Sequence, residues 1–393
     1  MTSSDRLWCV QLPSARWFQG KGLTIQAVAV RPFDWYVSAG PVWVRSELAE
    51  VVYADHTETY HLLVGYLDAG AGEPAALVGQ TVLPGRGLVD VVDAPSSPTA
   101  MAAFLSARGY PGGTSSRVFT GEQSNTTVRI GEEVLLKVFR RVEPGRNCES
   151  QVMGALAGSG LVPRLVDTLV SPDGTYDLGV FTQYIPGARD GWTYAVAARE
   201  AGTGMAPEMA ALGTTLRRLH AGLAAAFGST TVPAAAIGVR LLDHLEAARG
   251  QAPELDDVIE PLRRLVGLDG GSVPVQRVHG DFHLGQALLA PTGWYIIDFE
   301  GEPLKSAEER AAPDSVWRDV AGLTRSLDYA GAGPAARAAF LDAYCDGDPL
   351  PERLLTAYEV DKAVYELVYE LRNRPAWADI PRQAIAGAVR TVP

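Results

Sequence analysis

Cysteine is scarce. Cys9, Cys148 and Cys345 lie far apart among 393 residues, with no CxxC pair, which argues against a disulfide framework and against a zinc site built on thiolates. They are expected to be packing residues. No apolar run reaches the ~18 residues a membrane span needs. The N-terminus Met1-Thr2-Ser3-Ser4-Asp5-Arg6 has no basic segment leading into an apolar one, so it does not resemble a signal peptide. A cytoplasmic protein without a membrane partner is expected. Clusters of Lys and Arg are missing as well. With a formal net charge of -12 and a pI near 5.0, the chain offers no run of cations to neutralise nucleic-acid phosphates. No nucleic-acid partner is expected, and an anionic nucleotide would have to be held locally. Internal repeats are absent, and the Ala-rich stretches read as helix rather than low complexity. The 47% hydrophobic content suffices for a substantial core and two or three structural units.

Two short segments carry the chemistry: His279-Gly280-Asp281-Phe282-His283-Leu284-Gly285-Gln286 and Ile297-Asp298-Phe299-Glu300-Gly301-Glu302-Pro303. An aspartate on a tight loop accepts a proton from a substrate hydroxyl, while an amide oxygen and a second aspartate hold magnesium against nucleotide phosphates. Residues 275–278 read as a strand delivering the loop. Residues 287–290 and 294–297 read as a hairpin around Pro291-Thr292-Gly293, with Asp298 at the strand end. Such a hairpin folds Gln286 and Asp298 towards one another, as two ligands of one oxygen-loving cation require. Taken singly, each segment is also an ordinary turn sequence; the pair at this spacing points to a kinase. His279 and His283 offer a metal-binding alternative, but a third zinc-type ligand is missing, and His279 is expected to brace the loop by hydrogen bonding.

Residues 1–92 contain β-branched and alternating runs such as Val42-Trp43-Val44 and Tyr60-His61-Leu62-Leu63-Val64, and read as a β-rich cap. A Pro/Ser-rich joint at 93–98 leads to a helix from about Thr99 to Ala107, with Pro98 marking its start. Residues 93–186 then read as a small nucleotide-binding lobe and 187–393 as a large catalytic and acceptor-binding lobe. In the small lobe, Gly121-Glu122-Gln123-Ser124-Asn125 is a polar turn between short strands, and Lys137 lies on the second strand. In a kinase-like lobe such a turn covers the phosphates, here with Ser124 and Asn125, and the lysine pairs with phosphate oxygens. An exposed strand lysine is the alternative for Lys137. Glu149 or Gln151 would orient it. The apolar strand ending at Phe181-Thr182-Gln183-Tyr184-Ile185-Pro186 sits where a hinge would be, with Gln183 and Ile185 offering backbone groups to adenine. Met209 to His220 reads as a core helix with an apolar stripe.

These residues resemble the maltokinase-like family, which is related to the aminoglycoside phosphotransferases. The similarity runs along nearly the whole chain. It includes Arg16-Trp17-Phe18 with Gly20-Lys21-Gly22, Gln123-Ser124-Asn125, Asp190-Gly191-Trp192, the two site segments, Arg318-Asp319-Val320-Ala321-Gly322 and Arg372-Asn373-Arg374-Pro375. The resemblance implies an α+β, bilobal, eukaryotic-protein-kinase-like fold with an added β-rich N-terminal cap. It implies ATP as phosphoryl donor, Asp281 as catalytic base, Gln286 and Asp298 as magnesium ligands, and Lys137 as the phosphate-binding lysine. Glu300 either helps a second magnesium or is a buried structural carboxylate, and Asp319 braces the catalytic loop from below. The chain looks shorter than typical maltokinases, and Leu289 stands where an arginine is expected soon after the Gly-Gln pair. Both departures resemble the family's glucosamine kinase branch, which phosphorylates the 6-hydroxyl of glucosamine.

The acceptor pocket is sought on a helix over 354–372. Its spacing places Tyr358, Tyr365, Val368 and Tyr369 on one face, beside a polar stripe of Lys362, Glu366, Glu370 and Asn373. One reading is a solvated face with an i, i+4 pair between Lys362 and Glu366, contributing ~0.2–0.5 kcal/mol. The other is that this face, with Asp190, Trp192 and Trp377, lines a sugar site whose carboxylates receive an ammonium. Three functions stay open: an amino-sugar kinase, a kinase for a neutral sugar such as maltose at its anomeric hydroxyl, and a silent nucleotide-binding module. The last normally lacks the base or a metal ligand, and this chain has both.

Overall fold

The computed structural model describes residues 2–119, 124–268, 270–302 and 307–390, the side chains of Ala307 and Asn373 excepted. Gly121, Glu122 and Gln123 of the expected phosphate-covering turn, and Pro303, therefore lie outside the described residues. The chain divides into two compact units, one of Met1–Gly154 with Pro163–Pro186 and one of Ala155–Val162 with Gly187–Pro393. Among the described residues no helix is long and apolar enough to cross a membrane.

The first unit opens with helix α1 (Ser3–Gln11), started by a capping box between Thr2 and Asp5. Strands β1 (Ala27–Val37), β2 (Val42–Val52), β3 (Thr57–Asp68), β4 (Leu77–Leu83) and β5 (Gly87–Asp93) form an antiparallel sheet in the order β1-β2-β3-β5-β4. In β3, the central strand, burial is nearly continuous rather than alternating, because both faces are covered. One face packs with Trp8, Leu12, Trp17 and Phe18 around Tyr60, Leu62 and Val64. The other carries Leu63 against helix α2 (Pro98–Ala107), whose Met101 and Phe104 share a core with Val128, Leu136 and Phe181. Helix α2 begins at Pro98, and the Ser97 hydroxyl caps it by accepting from the Ala100 amide at 3.1 Å.

A second antiparallel sheet, in the order β6-β7-β8-β10-β9, is built from β6 (Ser116–Val118), β7 (Thr126–Ile130), β8 (Val134–Val138), β9 (Leu165–Val170) and β10 (Asp177–Gln183), with α3 (Cys148–Ala155) following β8. The two sheets are joined by backbone. The first half of β3 has no partner on its β5 side, and there His61 donates to the Arg140 carbonyl at 2.7 Å while Val142 donates to Thr59 at 2.9 Å.

The second unit is mainly helical. Its elements are β11 (Arg189–Asp190), α4 (Gly191–Glu200), α5 (Ala206–Phe227), β12 (Ser229–Pro233), α6 (Ala234–Arg249), α7 (Ile259–Val266), β13 (Ser272–Gln276), β14 (Ala287–Ala290), β15 (Gly293–Ile296), α8 (Ala307–Ala311), α9 (Trp317–Ala330), α10 (Gly333–Cys345), α11 (Glu352–Asn373) and α12 (Asp379–Val389). The expected core helix is longer than its apolar stripe suggested, running from Ala206 to Phe227 with Pro207 in its first turn. The strand expected over 275–278 stops earlier. Gln276 exchanges backbone hydrogen bonds with Asp314 (2.9 and 2.8 Å), and the chain leaves the β12–β13 ladder there. The β14–β15 hairpin forms in the expected place and pairs Ala287 with Ile296.

Candidate active site

The loop after β13 turns at Gly280, whose φ of 88° lies in the left-handed region that suits glycine. Asp319 on α9 accepts from the amides of His279 (2.7 Å) and Gly280 (2.9 Å). His220 on α5 approaches the same carboxylate through Nε2 at 3.0 Å, and its Nδ1 meets the Tyr344 hydroxyl at 2.8 Å. Burial works against the Asp319 charge, yet the hydrogen bond and charge of His220 and the loop amides hold its carboxyl below the usual range. Gly322, one turn along α9, gives the loop room: a Cβ there would lie 2.4 Å from the Phe282 carbonyl oxygen.

His279 is the brace across the hairpin. Its Nδ1 faces the Asp281 amide at 3.4 Å, so the proton belongs on Nε2, which donates to the Ile297 carbonyl at 2.9 Å. Its ring is buried between Phe282 and Phe299. His283 accepts from the Gly285 amide at 3.0 Å, and burial, above all, pushes its pKa down. With both His279 nitrogens engaged and His283 turned to its own backbone, the alternative of a shared histidine metal site does not form.

Gln286 and Asp298 meet as their spacing implied, with Gln286 Nε2 donating to Asp298 Oδ2 at 3.0 Å. The Ile297 amide donates to the Gln286 carbonyl at 3.0 Å, which closes the hairpin base. Asp298 has φ 66°, and among the described residues only Asp346 shares a positive φ outside glycine. A non-glycine residue held there marks a position whose surroundings over-determine it. Carboxylate oxygens of Asp298 and Glu300 lie within 4.8 Å of one another. Rotating the Gln286 amide half a turn presents its oxygen beside the Asp298 carboxylate. The donor set is then all oxygen, which fits a hard divalent cation such as magnesium.

In the first unit, Lys137 Nζ meets Glu149 Oε2 at 2.5 Å. Gln151 donates to the Arg146 carbonyl instead, so of the two candidates Glu149 orients the lysine. Ser124 is half-buried at the end of the polar turn. Asn125 is buried, and its Oδ1 accepts from the Arg140 amide at 2.9 Å, so this part of its carboxamide braces the segment after β8 rather than facing a phosphate. Arg140 is fully buried. It donates to Thr126 Oγ1 at 2.8 Å and to Asp93 at 2.7 and 3.0 Å, and lies 4.4 Å over the Trp17 ring. At the expected hinge, the Gln183 amide is taken by the Arg164 carbonyl at 2.8 Å and the Tyr184 amide by Glu133 at 2.7 Å, while Ile185 is buried.

The face of α11 departs most from expectation. Lys362 does not pair with Glu366; its Nζ meets Asp281 Oδ1 at 3.1 Å. Burial opposes its charge, but Asp281, Glu302 and Glu366 outweigh that and hold its pKa well above the ordinary range. Glu366 receives Arg325 from α9 at 2.7 and 3.1 Å, both bonds falling on Oε2. Glu370 is buried against Arg374. Tyr358 leaves the aromatic face altogether: it is buried and donates to Asp314 at 2.5 Å, next to Arg240. Tyr365 and Tyr369 stay exposed. Trp377 stacks on Tyr329, and Arg374 lies over its ring at 5.3 Å. Asp190 caps α4 by accepting from the Thr193 amide at 2.9 Å, with half-buried Trp192 in the first turn. β11 pairs Asp190 with Leu288 and Arg189 with Leu289, at the edge of the β14–β15 hairpin.

Sequence reasoning missed His220, Arg325 and the Arg318–Glu302 pair at 2.8 Å. A signal existed for Arg325: it lies seven residues after Arg318, between Leu323 and Leu327 on the same helix. His220 ended an apolar stripe and carried no mark of its partner.

Residues 115–355 match the phosphotransferase enzyme family, and residues 12–96 match the maltokinase N-terminal cap domain. Glucosamine kinase of Streptacidiphilus jiangxiensis is 34% identical over 313 residues, which cover 66% of this chain and 70% of that protein. Glucosamine kinase of Mycolicibacterium smegmatis is 29% identical over 324 residues, covering 68% and 78%. A solved glucosamine kinase structure, crystal form B, superposes with a TM-score of 0.65 at 25% identity, covering 98% of this chain and 99% of that one. A glucosamine kinase in complex with glucosamine, ADP and inorganic phosphate gives a TM-score of 0.61 at 26% identity, also covering 98% and 99%.

Proposed function

The chain belongs to the phosphotransferase enzyme family, and from that premise we propose that it is an ATP-dependent glucosamine kinase forming glucosamine 6-phosphate. Its class is α+β, with the kinase-like bilobal fold of its relatives and an added N-terminal cap. The observation that carries the reading is the pairing of Gln286 with Asp298 on a hairpin that His279 ties to the Asp281 loop, in a chain 34% identical to a glucosamine kinase. We assign residues 1–92 to the cap, 93–186 to the nucleotide-binding lobe and 187–393 to the catalytic lobe. The reading places the protein in carbohydrate metabolism and, with its ATP, in the cytoplasm.

Asp281 takes the proton of the sugar hydroxyl while that oxygen forms its bond to the γ-phosphorus; the bond from phosphorus to the bridging oxygen breaks, and its electron pair leaves on ADP. Gln286 and Asp298 would hold Mg²⁺, with Glu300 beside them; bound there, the ion neutralises charge on the phosphates. Lys137, held by Glu149, would pair with phosphate oxygens, as would Ser124. Gln183 and Ile185 are the residues proposed to border adenine. For the sugar, both Arg325 bonds occupy Glu366 Oε2, which leaves Oε1 to accept from the substrate ammonium. Asp190, Trp192 and Trp377 would complete the acceptor surface, with Glu370 behind it holding Arg374.

A panel of sugars with ATP and Mg²⁺, with phosphate position read by phosphorus NMR, tests the proposal. Glucosamine phosphorylated at its 6-hydroxyl is expected to lead, ahead of glucose, N-acetylglucosamine and maltose. Sites built around a buried polar contact reject analogues lacking it by ~10⁴-fold. Maltose as best acceptor, phosphorylated at its anomeric carbon, would overturn the amino-sugar reading.

A further inference from the structure

Lys362 and Asp281 are 81 residues apart, on α11 and on the catalytic loop, and meet at 3.1 Å. Both side chains are largely shielded, at 21% and 24% exposure. Three carboxylates surround the ammonium, yet two already have cations: Glu302 is held by Arg318 at 2.8 Å and Glu366 by Arg325 at 2.7 Å. Among the described residues, the hydrogen bond of Lys362 goes to Asp281 Oδ1 alone. The Tyr365 ring lies 5.1 Å from Nζ and walls one side of it. The other carboxylate oxygen, Asp281 Oδ2, has no hydrogen bond to a described residue.

We propose that Lys362 is the positioning residue of the catalytic base, pinning Asp281 Oδ1 so that Oδ2 faces the acceptor hydroxyl. The proposal rests on the kinase reading above, and assigns Lys362 to the base rather than to the sugar. A carboxylate on a single Cβ rotates freely unless one oxygen is tied, and a misplaced base loses much of its effect, because proton transfer demands hydrogen-bond reach. A planar carboxylate with one oxygen fixed by a shielded ammonium has one oxygen left to act. Lys362 acts through Asp281, so its effect is expected to be the same whichever acceptor is bound.

The test compares Lys362→Met, Lys362→Arg and Asp281→Asn with the wild-type enzyme. Lys362→Met is expected to lower kcat by about 100-fold, the low end of what a positioned general base contributes, while ATP affinity by calorimetry and the glucosamine-to-glucose ratio of kcat/KM stay unchanged. Lys362→Arg should recover to within about tenfold of wild type, and Lys362→Met added to Asp281→Asn should cost nothing further. Retained kcat with a changed sugar KM or acceptor ratio would make Lys362 an acceptor contact and overturn the proposal. So would an additive loss in the double variant, or an arginine variant as slow as the methionine one. Should Lys362→Met fail to fold, by loss of its thermal transition, the comparison rests on Lys362→Arg and Lys362→Gln, where equal rates overturn it. Should the wild type phosphorylate no sugar, the function proposed above falls. The same variants are then compared on ATP hydrolysis, which uses the base with water as acceptor.

Discussion

The catalytic loop and the polar face of α11 both place charged side chains near Asp281, but by different means. In the loop and hairpin, partners are close in sequence: Gln286 meets Asp298 12 residues on, and His279 meets the Ile297 carbonyl 18 residues on. On α11, Lys362 and Glu366 find partners 81 and 41 residues away. Hairpin geometry is local, so its spacing can be read as chemistry. A helix face lists which side chains are neighbours on one cylinder and leaves open what lies across from it. There, Lys362 and Glu366, which look like an i, i+4 pair, are each drawn off to a partner on another element, while Glu370 keeps an i, i+4 partner in Arg374; shielded charges demand compensation stronger than an exposed helical pair provides.

The largest effect is expected at Asp281. Asp281→Asn should cut turnover by about 100- to 10,000-fold with nucleotide affinity nearly unchanged, measured by steady-state kinetics and calorimetry. Wild-type turnover would dissolve the loop's side of the contrast. Next, Asp298→Ala should abolish the magnesium dependence of nucleotide binding, since water does not replace a carboxylate's charge; calorimetry with and without the ion decides this. On the α11 side, Arg325→Met leaves Glu366 shielded without its cation. A loss of about 3 kcal/mol in unfolding free energy by urea titration is expected, and an unchanged midpoint would show that Glu366 is better solvated than its environment implies.

The smallest effect sharpens the contrast through pH. Asp319 has its folded pKa held below the ordinary 3.8, so its ionised form adds stability that is fully present above that value and lost as pH falls through the folded one. Asp319→Asn should therefore be less stable than wild type at neutral pH, and should lose less on acidification below the ordinary value. Parallel acid titration curves for the two proteins would assign the acid limb to other carboxylates.

The β-rich cap and the helix after it were legible because β-branched runs, turn residues and the Pro98 helix start are local signals, and the structure carries them at β2, β3 and α2; the bilobal class followed from the family resemblance. The limits of β13 were not: the strand ends where Gln276 pairs with Asp314, and nothing near Gln276 announces a partner 38 positions on. Tyr358 shows the same limit, since its i, i+7 relation to Tyr365 predicts a shared face, while Asp314 and Arg240 draw it inward. Asn125, expected in the phosphate-covering turn, also accepts from the Arg140 amide through its Oδ1, a link that the turn sequence does not announce.

Sequence alone determined the chemical kit: an aspartate on a tight loop, an amide and a carboxylate brought together by a hairpin of set length, and a strand lysine followed by an acidic helix start. Those relations follow from backbone geometry over a few residues, which the residue types encode directly. Tertiary structure decided how each charge is compensated. It put Asp319 and His220 beneath the loop, Lys362 on Asp281, and Arg325 on Glu366. Compensation depends on which shielded groups come within about 3 Å of one another, and only the packing of distant helices sets that distance.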